Sequence, residues 1–212
     1  MRGFFITFEG TEGSGKSTQI EILARYLTRH GHKVVTTREP GGTAFGEQIR
    51  RVLLSVKNRR LDPRAELFLY LASRTQHLEE VILPALKRGK IILCDRFSDA
   101  TVAYQGFGRR LDMKVVRTAV AYAAKGLSPD LTLLLDLDVR LGLARVKDRG
   151  RSNRLDREQR EFHQRVRVGY RRLARSEPGR LKIVEASQSP QDVARKIKKI
   201  VDRSLAGRGI GK

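Results

Sequence analysis

The residues best suited to chemistry lie at positions 10–17, in the order Gly-Thr-Glu-Gly-Ser-Gly-Lys-Ser. This segment matches the pattern G-x-x-x-x-G-K-[ST] in full. Its glycines let backbone N–H groups point at phosphates, the ammonium of Lys16 can reach the β- and γ-phosphates, and the Ser17 hydroxyl can ligate Mg²⁺. We therefore predict a P-loop that binds a nucleoside triphosphate through Gly10, Thr11, Glu12, Gly13, Ser14, Gly15, Lys16, Ser17 and Thr18.

Two acidic residues end apolar segments and could assist the metal ion. Asp95 follows Ile-Ile-Leu-Cys, and Asp136 follows Leu-Leu-Leu. Asp95 directly precedes Arg96, and ligands of open α/β sheets bind at the carboxyl ends of the strands. We therefore predict that Ser17 and Asp95 hold Mg²⁺, and we interpret Asp136 as a strand end or a helix cap. The chain has no Asn-Lys-x-Asp segment for guanine recognition.

Apolar segments of strand length alternate along the chain with longer segments of helical period. Strands are predicted at residues 4–9, 33–37, 90–95, 131–137 and 181–185, and helices are predicted to start near residues 16, 43, 63, 112, 139, 156 and 190. Several strands are continuously apolar, as strands covered on both faces are. The pattern predicts one α/β domain over residues 1–206, with a five-stranded parallel sheet, helices on both faces and a basic tail at residues 207–212.

Composition limits the class of protein. No segment reaches the roughly 18 to 20 apolar residues that a membrane span needs. Cys94 is the only cysteine, which favours a reducing, cytoplasmic location. The formal net charge is +21, and most of the surplus lies in residues 140–182 and 195–212. An anionic partner or solvated helix faces would both explain it; a nucleic acid is not expected, because the tail has no interleaved aromatic residues.

Three arginines could hold the phosphate of an anionic acceptor. Arg38 and Arg96 directly follow predicted strands. Arg74 lies on a largely apolar helical segment, where the alternative is a side chain that extends to the surface.

Several segments carrying these arginines resemble thymidylate kinases, the enzymes that convert dTMP to dTDP. Residues 38–43 read Arg-Glu-Pro-Gly-Gly-Thr, which resembles the REPGGT segment of that family. Residues 95–106 resemble its DR(Y/H)…S-x-A-Y-Q-G segment, and residues 69–74 resemble its F-x-A-[AS]-R helix with Tyr70 in place of Phe. Residues 185–190 resemble its late segment near the adenine. The matches keep the family's order from Phe4 to about Val201.

The resemblance implies a P-loop kinase fold, the substrates ATP and dTMP, Mg²⁺ and a homodimer. Glu12 would lie near the sugar 3′-hydroxyl, and Tyr70 would stack on thymine. Thr101 and Gln105 would bond the base, Tyr104 would lie against the deoxyribose, and ordinary helix packing is the alternative for Thr101 and Tyr104. The substrate-binding set that the resemblance implies is Arg38, Pro40, Tyr70, Arg74, Arg96, Thr101, Tyr104 and Gln105.

A basic segment at about residues 142–157, interrupted by Gly and Ser, is predicted to be a mobile lid. An arginine brought over the transferring phosphoryl group lowers the barrier electrostatically. Position 13 of the P-loop is Gly, and bacterial thymidylate kinases of this kind place that arginine in the lid. Arg149 fits the family pattern best, but the lid is two residues longer, so Arg145, Arg151 and Arg154 remain alternatives. The predicted catalytic residues are Glu12, Lys16, Arg96 and Arg149.

The sequence thus predicts transfer of the γ-phosphoryl group of ATP to dTMP. Another nucleoside monophosphate kinase of the same fold is the nearest alternative. A basic P-loop ATPase that binds nucleic acid is a more distant one, supported by the net charge alone.

Overall fold

A computed structural model of the chain describes residues 3–148, 150 and 152–209, and five parallel strands form its sheet. The strand order is β2-β3-β1-β4-β5, so the first strand is central. Each predicted strand is confirmed with ends shifted by at most one residue. The strands are β1 (Phe4–Glu9), β2 (Val34–Arg38), β3 (Ile91–Asp95), β4 (Leu131–Asp136) and β5 (Leu181–Glu185).

The helices cover both faces of this sheet, as predicted. They are α1 (Lys16–Arg29), α2 (Ala44–Leu54), α3 (Pro63–His77), α4 (Leu83–Lys87), α5 (Ser98–Thr101), α6 (Met113–Ala123), α7 (Val139–Asp148), α8 (Arg160–Ser176) and α9 (Pro190–Ala206). Two π-helical segments extend them, Leu78–Ile82 between α3 and α4 and Val102–Gly108 after α5. The helical segments from Leu78 to Lys87 and from Ser98 to Gly108 were not predicted from the sequence.

Capping side chains define several of the helix starts. Asp62 accepts a hydrogen bond from the backbone N–H of Arg64 at 2.8 Å, one residue before Pro63 opens α3. Ser189 similarly caps α9 ahead of Pro190. Such caps satisfy N–H groups that have no partner inside the helix.

The helix predicted near residue 156 starts later, at Arg160, and this prediction is corrected. Asn153 explains the difference: its Oδ1 accepts from the backbone N–H groups of Leu155 at 2.8 Å and Asp156 at 3.1 Å. Oδ2 of Asp156 in turn accepts from the backbone N–H of Asn153 at 2.8 Å. These local bonds favour a turn over a helix.

Side chains of β1 alternate between the two faces of the sheet. Ile6 and Phe8 lie in the cluster that packs against α1 and α9, whereas Phe5 packs among residues of the π-helical segment Leu78–Ile82 and α4. A third cluster joins α3, α6, α8 and the segment Val102–Gly108. The central strand is therefore buried on both sides, which places its carboxyl end and the loop after it at a rigid point of the fold.

The predicted lid is only partly a loop. Its first half belongs to α7, and residues 152–158 form turns between α7 and α8. Arg149 and Arg151 lie outside the described residues, as do residues 210–212 of the predicted tail. Within the described part of the chain, no helix is long and apolar enough to cross a membrane.

Candidate active site

The P-loop connects β1 to α1 and wraps around the ammonium group of Lys16. Gly13 and Gly15 have φ values of 71° and 88°, a left-handed conformation that glycine adopts at low cost. Nζ of Lys16 donates to the carbonyl oxygens of Gly10 at 3.2 Å and Thr11 at 3.1 Å. Burial and the charge of Arg96 lower the pKa of Lys16 to about 8. The loop therefore holds a buried cation at the N-terminus of a helix, an arrangement suited to phosphate.

Gly13 also contacts the start of the predicted lid. A Cβ atom at Gly13 would lie 2.2 Å from the carbonyl oxygen of Gly142 in α7, and one at Gly142 would lie 2.4 Å from the carbonyl oxygen of Glu12. No side chain fits in either place unless α7 moves. Position 13 therefore cannot carry an arginine in this arrangement.

A cavity of about 570 Å³ opens beside the P-loop, at the carboxyl ends of β1, β2 and β3. It brings together nearly all of the predicted site residues. Those that line it are Glu12, Gly13, Ser14, Gly15, Lys16, Ser17, Thr18, Arg38, Pro40, Tyr70, Arg74, Asp95, Arg96, Thr101, Tyr104 and Gln105. Gly10 and Thr11 are buried and do not line it, and Arg149 is not among the described residues.

Ser17 and Asp95 lie close enough to share a ligand. Oγ of Ser17 donates to Oδ2 of Asp95 at 3.4 Å, and Oδ1 of Asp95 is buried with no hydrogen-bond partner in the described chain. A hydroxyl and a carboxylate are ligands of the kind that Mg²⁺ takes. Asp136 instead pairs with Arg167, whose Nε and Nη2 donate to its two carboxylate oxygens at 2.7 and 3.1 Å. This pairing agrees with the interpretation of Asp136 as a strand end.

Arg96 lies at the centre of the cavity's polar network. Its backbone is left-handed, with φ 71°, and its N–H donates to the carbonyl oxygen of Phe8 at 3.0 Å. Its guanidinium donates to Oε1 of Glu12 at 3.1 Å and to the hydroxyl of Tyr170 at 3.1 Å, and lies 4.7 Å from the centre of the Tyr104 ring. These contacts orient the guanidinium beside the P-loop.

Glu12 is the carboxylate of the P-loop. Its Oε1 also accepts from the hydroxyl of Tyr104 at 2.6 Å, and its Oε2 lies 3.3 Å from Nδ1 of His163. Burial alone would raise the pKa of Glu12, but the contact with His163 and the charges of Arg96 and Lys16 outweigh it and hold that pKa well below its ordinary value. Glu12 is therefore a carboxylate at neutral pH.

Glu9, at the end of β1, is fully buried and behaves differently. Its Oε2 accepts from the hydroxyl of Tyr170 at 2.7 Å, and its Oε1 accepts from the backbone N–H of Phe97 at 2.8 Å. Burial and the neighbouring Asp99 raise the pKa of Glu9 to about 8, although Arg96 opposes the shift. Tyr170 thus connects Glu9 to Arg96.

Arg74 is buried, with an exposed fraction of 1%, so the alternative of a surface side chain is wrong. Its Nε donates to Oε2 of Glu39 at 2.8 Å, and its Nη2 donates to the carbonyl oxygen of Phe97 at 3.1 Å and to Oγ1 of Thr101 at 2.9 Å. Nη1 is buried without a partner in the described chain. Oε1 of Glu39 lies 3.1 Å from Nδ1 of His77, which completes this network.

Two further arginines reach the cavity from its β2 side. Arg38 is half exposed, and its Nη2 donates to both carboxylate oxygens of Glu47, at 2.9 and 3.0 Å. Arg50 of α2, which was not predicted from the sequence, donates to the carbonyl oxygen of Pro40 at 2.9 Å and lines the cavity. The sequence pattern does not single out Arg50 as a site residue, because a charged residue on an amphipathic helix is expected to face solvent.

The residues predicted to contact the base lie on α3, at the end of α5 and on the segment after it. Tyr70 lines the cavity, and burial raises the pKa of its hydroxyl above the ordinary value. Nε2 of Gln105 donates to Oε1 of Glu66 at 2.7 Å, a buried carboxylate that also binds Arg109 and Arg154. The Gln105 amide therefore has a defined orientation.

The lid arginines that the structure describes already form hydrogen bonds within the chain. Arg154 is buried, with its Nε donating to the carbonyl oxygen of Leu53 at 2.8 Å and its Nη2 donating to Glu66 at 2.5 Å. Nη1 of Arg145 donates to the carbonyl oxygen of Gly13 at 3.3 Å. Arg154 thus anchors the end of the lid, and Arg145 contacts the P-loop.

Comparison with known proteins places this geometry in a family. A family model described as Thymidylate kinase matches residues 8–197. The "Thymidylate kinase" of Desulfovibrio desulfuricans is 52% identical over 98% of this chain and 99% of its own, and that of Trichlorobacter lovleyi is 54% identical over 95% and 98%. A crystal structure of thymidylate kinase from Ehrlichia chaffeensis superposes with a TM-score of 0.77 and 32% identity, covering 95% of this chain and 100% of that one. The chain belongs to the thymidylate kinase family.

Proposed function

We propose that the protein transfers the γ-phosphoryl group of ATP to dTMP, giving ADP and dTDP. The observation that carries this proposal is one cavity that joins a P-loop lysine to a set of arginines and an aromatic ring. Lys16 accounts for the donor phosphates. Arg74 and Arg96 would bind the phosphate of the acceptor, and the nearby Tyr70 would contact its base. Membership of the thymidylate kinase family supports dTMP as that acceptor.

On the acceptor side, the arginines hold and orient the phosphate. Arg74 has a buried Nη1 with no partner in the described chain, and Arg96 is oriented by Glu12 and Tyr170. No general base is required, because a phosphomonoester with a second pKa of about 6 is largely ionised at neutral pH. Catalysis then rests on positioning and on neutralisation of charge. Tyr70 would stack on thymine, with Pro40, Thr101, Tyr104 and Gln105 as the remaining predicted contacts.

On the donor side, the P-loop residues 10–18 bind the phosphates of ATP. The oxygens of Ser17 and Asp95 fit Mg²⁺, and the buried, unpartnered Oδ1 of Asp95 supports that assignment. Ser17 and Asp95 would hold Mg²⁺, which would supply positive charge to offset the negative charge of the phosphates. The described residues contain no group of three or more His, Cys, Asp or Glu that could enclose a metal.

We propose Arg149 as the lid arginine that stabilises the transferring phosphoryl group. Arg154 already pairs with Glu66, and Arg145 already donates to the P-loop backbone. These contacts favour Arg149 or Arg151 as the lid arginine that reaches the phosphoryl group. Arg149→Ala is expected to lower kcat by about a thousandfold, the lower end for such an arginine, with a much smaller change in the KM for dTMP. Arg157→Ala is the control, because Arg157 is exposed and bonds Ser152. An unchanged kcat in Arg149→Ala would transfer the role to Arg151.

We further propose a cytoplasmic homodimer. Support for the dimer comes from large apolar side chains that remain exposed on three neighbouring helices, namely Phe45 and Val52 of α2, Phe68 of α3 and Val115 of α6. Light scattering of the purified protein gives its mass in solution. Phe68→Asp should shift a dimer toward the monomer, and a wild-type monomer at micromolar concentration would refute this part.

A coupled assay that follows ADP formation tests the main proposal. We expect turnover of dTMP to exceed that of dUMP, UMP and CMP at equal concentrations with MgATP. Lys16→Met should abolish turnover, since it removes the buried ammonium that contacts the phosphates. A preference for CMP or UMP would refute dTMP as the acceptor. Turnover of none of the four would refute the proposed activity.

A further inference from the structure

His163 is a buried histidine that the proposed reaction does not use. It lies on α8 with an exposed fraction of 1%, next to Phe162, Val166 and Tyr170, which face the core. Neither of its ring nitrogens forms a well-aligned hydrogen bond within the described chain. An unsatisfied polar group in such a position destabilises the fold relative to an apolar side chain. Core packing alone therefore does not account for a histidine here.

The charged group that faces this imidazole is Glu12. Nδ1 of His163 lies 3.3 Å from Oε2 of Glu12, within ion-pair distance. The other carboxylate oxygen, Oε1, already accepts from Arg96 at 3.1 Å and from Tyr104 at 2.6 Å. Oε2 has no well-aligned donor among the described residues. The two oxygens thus have different environments, and His163 is placed at the one that remains available.

This asymmetry decides which oxygen of Glu12 can accept a hydrogen bond from a substrate. A carboxylate oxygen accepts about two hydrogen bonds, so the two donors from the chain saturate Oε1 of Glu12. Oε2 can accept one bond from Nδ1–H of His163 and still accept one from a hydroxyl in the cavity. Without His163, the carboxylate would be held on one side only and could turn about its last torsion, which is broad and weakly restricted.

We propose that His163 is a positioning residue that holds Oε2 of Glu12 in place to accept the 3′-hydroxyl of the acceptor nucleotide. The inference rests on the proposed function, because it assumes dTMP in the cavity with its sugar beside the P-loop. His163 does not touch the substrate itself; it acts through Glu12. The contact also joins α8, which follows the lid, to the loop that binds ATP.

The test compares dTMP with 3′-deoxythymidine monophosphate, which lacks the hydroxyl in question. The wild-type enzyme should prefer dTMP in kcat/KM. His163→Leu retains an apolar side chain that cannot donate, and should reduce this preference about tenfold, as expected for a hydrogen bond to a charged group. The loss should appear in the KM for dTMP, with the KM for the deoxy analogue little changed. His163→Asn, whose amide nitrogen matches the Nδ1 position, should retain the preference within about threefold.

Two further variants make the result decisive. Glu12→Gln should also reduce the preference, and adding His163→Leu to it should cause no further loss, as required when both act on one interaction. If His163→Leu does not fold, His163→Gln gives the same comparison, because its amide lies at the Nε2 position instead. An equal rise in KM for both nucleotides would overturn the inference and leave His163 a packing role. No dTMP turnover by the wild type would refute the proposed function itself, whereas turnover without any 3′-hydroxyl preference would refute only this inference.

Discussion

The buried pair between Glu39 and Arg74 permits a quantitative prediction. The carboxylate and the guanidinium are 2.8 Å apart, with side-chain exposures of 3% and 1%. In Glu39→Gln the shape is kept but the negative charge is lost, so Arg74 becomes a buried cation without a charged partner. The new amide would keep its oxygen toward Arg74 and turn its N–H₂ group toward His77, whose Nδ1 now contacts the carboxylate. The loss of the charged partner destabilises the folded state.

Breaking a buried ion pair by removing one partner costs about 3–5 kcal/mol. The amide keeps one acceptor, so we expect the lower end, about 3 kcal/mol, which corresponds to a fall in Tm of roughly 10 °C for a chain of this size. Glu79→Gln is the matched control: its pair with Lys125 is exposed, with side-chain exposures of 45% and 63%, and should contribute less than about 1 kcal/mol.

Urea unfolding followed by circular dichroism measures both variants, since the chain has no tryptophan for a fluorescence signal. A double-mutant cycle with Arg74→Leu adds a second readout. The double variant should lose clearly less stability than the sum of the single losses, because it leaves no unpaired charge in that pair. Equal small losses for Glu39→Gln and Glu79→Gln would refute the reasoning. So would additive losses in the cycle.

Three other features give predictions. The pKa of Glu9 is about 8 in the folded state and 4.5 in the unfolded state. The contribution of Glu9 to the free energy of unfolding is therefore fully present below pH 4.5 and is lost as pH rises to 8. Glu9→Gln should flatten the pH profile of the unfolding free energy. Gly13→Ala should destabilise more than Gly31→Ala, since both are left-handed but only Gly13 meets a backbone oxygen; nucleotide-free thermal unfolding compares them. Tyr170→Phe, which removes one of the two hydrogen bonds that orient the Arg96 guanidinium, should lower kcat/KM about tenfold, and unchanged kinetics would contradict this.

The sheet and the P-loop were predictable because each depends on local sequence. Strands buried on both faces are mostly apolar without alternation, and β1, β3 and β4 are, apart from Thr7, Thr132 and the acidic residue that ends each strand. Arg38 and Arg96 were predictable for a topological reason. The carboxyl ends of neighbouring parallel strands meet at one edge, so Arg38 at the end of β2 and Arg96 just after β3 must come together.

The remaining site residues could not be found in this way. His163 and Tyr170 lie on the core-facing side of α8, and helical spacing alone assigns them to packing. That assignment is correct for the Tyr170 ring, but its hydroxyl bonds Glu9 and Arg96, which are 161 and 74 positions away along the chain. Glu39 likewise gains its role from a partner on α3. Such contacts depend on tertiary packing, which no local pattern encodes.

The arginines of the cavity have partners within the chain before any substrate is bound. Arg38 pairs with Glu47, Arg74 with Glu39 and Arg96 with Glu12. An arginine side chain carries about 2 kcal/mol of rotamer entropy, so an unpaired guanidinium would lose much of this when it bound a phosphate. Here the carboxylates order the guanidinium groups during folding. A guanidinium has five N–H donors, and a carboxylate engages only one or two of them, which leaves donors such as Nη1 of Arg74 for an acceptor phosphate. If these arginines hold the acceptor phosphate, as we propose, the carboxylates favour phosphate binding although they carry the same sign of charge as the substrate.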